Sequence, residues 1–171
     1  FCGLPASGKS ALAERVAGAL SMAVIGSDAL RKKEDPESEI TAYGKGKYTP
    51  ERRRHVYTHL FALAHERLKA GRSVALDATF AGRDLRDEAV RLSLTADAGL
   101  IFVECQCSEA LLVSRLKARE QTVGGSDARL FHLPDMIRDF EPLSEISPRQ
   151  HLAARTDRSI AETVDRKSTR L

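Results

Sequence analysis

The chain has 171 residues, of which 42% are hydrophobic and 30% are charged, and this composition is typical of one folded domain rather than of a disordered or fibrous chain. No apolar run approaches the roughly 18 residues that a membrane-spanning helix needs. The formal net charge is +3 and falls to +1 without residues 165–171, so charge does not point to nucleic acid or a membrane as partner. The three cysteines lack zinc spacing, which predicts free thiols in a reducing cytoplasm.

The first predicted element is a phosphate-binding loop. Residues 3–10 read G-L-P-A-S-G-K-S and match G-x-x-x-x-G-K-[ST] at every fixed position. Glycines let the backbone turn so that its amides can point at phosphate oxygens. We expect Lys9 to act catalytically on the β- and γ-phosphates and the Ser10 hydroxyl to hold Mg²⁺. The alternative is a chance glycine turn before a helix. The predicted ATP-binding residues are Gly3, Leu4, Pro5, Ala6, Ser7, Gly8, Lys9, Ser10 and Ala11.

Strand-like and helical patterns alternate along the rest of the chain. Such alternation predicts an α/β fold, a three-layer sandwich around a mostly parallel sheet of about five strands. Strands are expected near residues 22–26, 73–77, 100–106 and 152–156. Helices are expected at 10–20, 51–70, 84–96, from 108, at 134–140 and from 159. A polar stretch at about 120–133 carries Gly124 and Gly125 and is interpreted as a mobile lid.

Both ends of the sequence are unusual for such a domain. Only Phe1 and Cys2 precede the loop, whereas a P-loop normally follows a buried strand. We therefore expect the first strand to be truncated and the chain to be a fragment. Residues 165–171 match the translation of a common sequencing adapter, which predicts a kinase domain at 1–164 followed by a non-native tail.

Two aspartates at predicted strand ends are candidates for chemistry. Asp77 ends an apolar run, where a carboxylate can face the P-loop and hold Mg²⁺; the alternative is a turn cap. Asp28 ends the preceding strand, and Arg31 follows one helical turn later. We expect Asp28 to accept a proton from an attacking hydroxyl and Arg31 to bind phosphate or orient Asp28. The alternative is a helix cap beside a surface arginine.

Two arginines before the predicted lid are candidates for a phosphate clamp. Arg115 and Arg119 are four residues apart and would share one helix face, from which both could bind the transferring phosphate. A solvated helix face is the alternative. The basic run Arg52–Arg54 is interpreted as a charged helix face.

Missing motifs narrow the class of enzyme. The sequence has no D-x-x-G after the P-loop and no N/T-K-x-D, which a GTPase would usually show. Asp77-Ala78 is not the acidic pair usual in motor ATPases. A small P-loop kinase fits best.

Taken together, these residues resemble the small P-loop kinases of the polynucleotide-kinase and zeta-toxin-like group. More narrowly, the chain is similar to bacterial predicted kinases called AAA-family ATP-binding proteins, which are often fused behind an aminoglycoside-phosphotransferase-like domain. The resemblance implies that Asp28 serves as base toward the acceptor hydroxyl and that Arg115 and Arg119 are lid arginines. It spans Gly3 to about Val164 and rests on these segments: 3–10, 27–32, 76–80, 115–119, 126–128 and 140–142.

Two functions follow from this reading. The first is an ATP- and Mg²⁺-dependent phosphotransferase acting on a hydroxyl of a small molecule or a nucleic-acid end. The second is a module that binds and slowly hydrolyses ATP to regulate a fused partner. The sequence leaves the acceptor open.

Overall fold

The computed structural model describes residues 1–34, 44–45, 49–120 and 128–158. Part of the predicted lid, the helix predicted from Ser159 and the tail at 165–171 lie outside these ranges. The elements in chain order are α1 (Lys9–Ala19), β1 (Ala23–Gly26), α2 (Ser27–Glu34), α3 (Pro50–Lys69), β2 (Val74–Asp77), α4 (Arg83–Thr95), β3 (Phe102–Gln106), α5 (Glu109–Glu120), a 3₁₀ turn (Leu130–His132), α6 (Leu133–Arg138) and β4 (His151–Arg155).

The strands form two parallel pairs, β1 with β2 and β3 with β4. The first residues of the chain lie between the pairs. The Phe1 amine donates to the Leu76 carbonyl at 2.7 Å, and the Cys2 amide donates to the Val103 carbonyl at 2.9 Å. The order is therefore β1, β2, the segment 1–3, β3 and β4. This confirms the predicted α/β fold with a parallel sheet and a central first strand.

Helices and loops cover both faces of this sheet. On one face, Tyr57 of α3, Phe80 and Phe102 form an aromatic core, with the ring centroids of Tyr57 and Phe80 5.3 Å apart. On the other face, Leu12 of α1 packs against Cys105. Phe102 and Cys105 lie on opposite faces because side chains alternate along a strand. The three-layer arrangement follows.

Local sequence signals explain where α3 begins and ends. Thr49 caps the helix, since its hydroxyl accepts from the Arg52 amide at 3.3 Å, and Pro50 takes the first helical position. Proline is favoured there because the first amides of a helix have no internal partner. Gly71 follows the helix with φ of 68°, a left-handed conformation that favours glycine.

The described part of the predicted lid is not an open loop. Residues 130–138 form the 3₁₀ turn and α6, and Ala128, His132 and Leu133 are buried. Ala128 and Leu133 pack with Leu112 and Leu116 of α5. The prediction overlooked that these apolar residues can close a core beside α5, so a polar loop does not continue to residue 133.

Candidate active site

The P-loop connects the central segment 1–3 to α1, and its two fixed glycines have a steric role. Gly3 has φ of 131°, and a Cβ there would lie 2.6 Å from the Cys105 carbonyl oxygen. Gly8 has φ of 88° and caps α1. Ala6, between them, also adopts a left-handed conformation with φ of 61°. The loop is therefore bent tightly against the start of α1, whose first amides have no partner within the helix.

Side chains from the loop itself and from distant parts of the chain hold the loop's carbonyl groups. Lys9 Nζ donates to the Leu4 carbonyl at 2.9 Å, and Arg115 donates to the Ala6 carbonyl at 3.1 Å. The Thr156 hydroxyl donates to the Ser7 carbonyl at 2.5 Å. Because the C=O and N–H of a trans peptide point in opposite directions, this last bond turns the Gly8 amide away from Thr156. A loop held in this way suits an anion.

One cleft brings together most of the residues predicted from the sequence. Its walls come from the P-loop, the start of α2, the end of β2 and the end of α5. The predicted residues that line it are Pro5, Ala6, Gly8, Lys9, Ser10, Ala11, Asp28, Arg31, Asp77 and Arg119. Sites in parallel α/β sheets lie at the carboxyl ends of the strands. Asp77 is the last residue of β2, and Asp28 lies two residues after the end of β1.

Lys9 lies in the electrostatic centre of this cleft. Desolvation lowers the pKa of its ammonium group, and the carboxylates of Asp77 and then Asp28 partly oppose that shift. The two carboxylates favour the charged form of the lysine, the form that can meet phosphate oxygens.

A divalent cation could be held by Ser10 and Asp77. Within the part of the chain that the structure describes, no three histidine, cysteine or carboxylate side chains are grouped as a metal centre. Mg²⁺ in nucleotide sites is commonly held by one or two protein oxygens together with substrate phosphates, and the hydroxyl and carboxylate lining this cleft match that donor set.

Asp28 and Arg31 form an ion pair at the first turn of α2. Their side chains are 2.5 Å apart, and 48% of the Asp28 side chain is exposed against 14% for Arg31. Both side chains line the cleft, and the carboxylate is the more exposed of the two. A carboxylate so placed can accept a proton from a hydroxyl.

The two arginines of α5 have different surroundings. Arg119 lines the cleft. Arg115 is not among the cleft-lining residues, and its guanidinium donates to the carbonyls of Ala6 and Thr156, the latter at 2.7 Å. The predicted pairing of both arginines on one phosphate therefore needs correction. Arg115 lies one turn nearer the P-loop, where backbone carbonyls take its hydrogen bonds, so it shapes the loop.

Sequence reasoning missed Arg86 of α4, whose side chain is fully buried. It forms a salt bridge with Glu145 and donates to the carbonyls of Phe80 and Ala81 at 2.9 and 3.0 Å. It also donates to the carbonyls of Glu141 and Pro142. One signal was available: Arg86 lies on the stripe of α4 that is otherwise small or apolar, the stripe that a helix buries.

The turn that Arg86 holds forms one wall of the cleft. Phe80 has φ of 49°, which is unusual for a bulky residue. Its amide donates to the Tyr57 hydroxyl at 2.8 Å, and its carbonyl accepts from Arg86. Ala78, Thr79 and Ala81 of the same turn line the cleft. Two buried side chains thus maintain a strained backbone beside Asp77.

The family model described as AAA domain, AAA_33, matches residues 1–143. The chain belongs to this AAA domain family. No curated protein is detectably similar in sequence.

Solved structures extend the comparison beyond the AAA domain match. A putative kinase from Chloroflexus aurantiacus is 20% identical with a TM-score of 0.74, covering 99% of this chain and 95% of that one. A gluconokinase from Sinorhizobium meliloti is 25% identical with a TM-score of 0.63, covering 96% and 85%. The APS kinase of Mycobacterium tuberculosis, solved with AMPPNP and APS, is 21% identical with a TM-score of 0.65, covering 99% and 93%. This AAA domain therefore has the fold of small P-loop kinases, as the sequence predicted.

Proposed function

We propose that the protein is an ATP- and Mg²⁺-dependent kinase that transfers the γ-phosphate of ATP to a hydroxyl group. The observation that carries the proposal is the convergence of Lys9, Asp28 and Asp77 on one cleft. The first binds phosphate, the second can take a proton, and the third can hold a metal ion. The match to a P-loop kinase fold, with a gluconokinase and an APS kinase among the similar structures, supports it.

In this proposal, the P-loop residues bind and orient the phosphates of ATP. The amides of the loop and of the first turn of α1 donate to phosphate oxygens. Lys9 leaves the Leu4 carbonyl and neutralises charge on the β- and γ-phosphates. Mg²⁺, held by Ser10 and Asp77, would screen the phosphate charge when it is bound. Arg119 would stabilise the equatorial oxygens of the phosphate in transfer.

Asp28 acts on the acceptor. Its carboxylate accepts the hydroxyl proton as the oxygen bonds to the γ-phosphorus and the bond to the β-phosphate oxygen breaks. Arg31 keeps the carboxylate in position through their ion pair. Catalysis of this kind rests on positioning and electrostatics.

The test is phosphate transfer from labelled ATP to a panel of nucleosides, oligonucleotide 5′-ends, aminoglycosides, sugars and sugar acids. Asp28→Asn should lower transfer about 10²- to 10⁴-fold with ATP affinity close to that of the wild type. Asp77→Asn should raise the Mg²⁺ concentration needed for half-maximal rate. Glu14→Gln, at an exposed position of α1, is the matched control. Slow ATP hydrolysis with no transfer to any acceptor would favour the regulatory module instead.

A further inference from the structure

The basic run Arg52–Arg54 at the start of α3 does not act as one charged face. Arg54 turns to α4 and donates to Asp84 at 2.7 Å, and Arg52 is exposed. Arg53 is half-buried and lines the cleft, as does Tyr57 one turn later. The interpretation of this run as a charged helix face therefore fits Arg52 and Arg54. It does not fit Arg53, whose side chain lines the cleft.

The cleft holds more cations than carboxylates, and the cations divide between two ends. The cationic residues lining it are Lys9, Arg31, Arg53 and Arg119, and the acidic ones are Asp28 and Asp77. Arg119 comes from α5, whereas Arg53 comes from α3, which packs against α2, the helix of Asp28 and Arg31. Arg53 therefore lies on the side of the cleft where Asp28 lies.

We propose that Arg53, with Tyr57 beside it, forms an acceptor subsite for an anionic group carried by the molecule whose hydroxyl is phosphorylated. The inference rests on the proposed function and names the substrate class: a small anion that carries a hydroxyl group. A guanidinium binds a carboxylate or a phosphate through two parallel hydrogen bonds. A half-buried guanidinium is less screened by salt than an exposed one. Leu85, Met136 and the Tyr57 ring offer apolar contacts to the carbon skeleton.

The experiment compares neutral and anionic acceptors of similar size. Sorbitol is set against gluconate, and ribose against ribose 5-phosphate, so that the carboxylate and phosphate arms distinguish the two sources of charge. For an anionic acceptor, Arg53→Gln should raise KM about 10- to 100-fold while the KM for ATP stays within about twofold. Arg53→Lys should restore part of the affinity, because the charge returns without the planar fork. Arg52→Gln, at the exposed neighbour, should match the wild type.

A binding measurement separates this inference from the proposed function. Calorimetric titration of gluconate and ribose 5-phosphate is made with a non-hydrolysable ATP analogue present. Binding that is lost in Arg53→Gln and partly kept in Arg53→Lys supports the subsite even when no transfer is seen. Transfer that prefers a neutral acceptor and is unchanged in Arg53→Gln overturns the subsite while the kinase stands. If neither anion binds or is phosphorylated by the wild type, the subsite is likewise overturned.

Discussion

Replacing Arg86 by methionine should destabilise the protein and impair the cleft together. Methionine is of similar length, so the change removes charge and five hydrogen bonds without leaving a large void. Glu145 would be left as a carboxylate that is 8% exposed and has lost its partner. The carbonyls of Phe80, Ala81, Glu141 and Pro142 would also lose a donor.

The expected loss follows from the burial of the pair. Removing one partner of a buried ion pair costs about 3–5 kcal/mol, because the remaining charge is uncompensated. For a domain of this size each kcal/mol lowers Tm by about 2–4 °C, so Tm should fall by about 6–20 °C. Removing both partners, in Arg86→Met with Glu145→Met, should cost less than the sum of the single changes.

Urea unfolding and thermal melting measure the stability, and ATP titration followed by fluorescence measures the cleft. Because the turn at Phe80 lines the cleft, Arg86→Met should also weaken nucleotide or acceptor binding at temperatures where the variant is folded. Arg91→Met, at an exposed position of the same helix, is the control. A change in unfolding free energy below about 0.5 kcal/mol for Arg86→Met would refute the reasoning.

Three further predictions follow from the site. Gly3→Ala should lower the free energy of unfolding by about 3 kcal/mol, because Gly3 has a positive φ and an added Cβ would lie 2.6 Å from a carbonyl oxygen. Gly18→Ala is the control and should not lower stability, since the space around Gly18 is open. Urea unfolding compares the two variants. Arg115→Gln should lower Tm and raise the KM for ATP, while Arg119→Gln should lower kcat with little change in Tm; equal effects on both quantities would contradict their separate roles. Burial raises the pKa of the Glu145 carboxyl, but its guanidinium partner outweighs this and holds the pKa below the ordinary range. The contribution of the ionised carboxylate to folding stability is therefore present at neutral pH and is lost as pH falls below about 4. The stability difference between wild type and Glu145→Gln should shrink at that pH, and a difference that stays constant would count against the pair.

The parts of the site that depend on local pattern could be predicted from the sequence. The residues of the P-loop are contiguous in the sequence, and the positions of Asp77 and Asp28 could be predicted because each lies at or just after the end of a strand. Parallel strands place such positions at one edge of the sheet whatever the details of packing. The helix boundaries of α3 were also predictable, since Thr49 and Gly71 carry their own signals.

The parts that depend on packing between distant segments could not be predicted. Spacing placed Arg115 and Arg119 on one face, but the carbonyls of Ala6 and Thr156, which decide the position of Arg115, come from other elements. Arg53 lines the cleft and its neighbours Arg52 and Arg54 do not, because only one face of α3, the face of Arg53 and Tyr57, borders the cleft. Arg86 is buried by a segment more than fifty residues away.

The conformation of the P-loop depends on Thr156, a residue that is synthesised long after the loop itself. Its hydroxyl donates to the Ser7 carbonyl, 149 positions earlier in the chain, and its amide donates to the Gln106 carbonyl at 2.9 Å. The family match ends at residue 143, so Thr156 lies outside the segment that matches the family. A nascent chain emerging from the ribosome would expose every motif residue long before Thr156 arrives to fasten the loop. Competence to bind nucleotide should then appear late in translation.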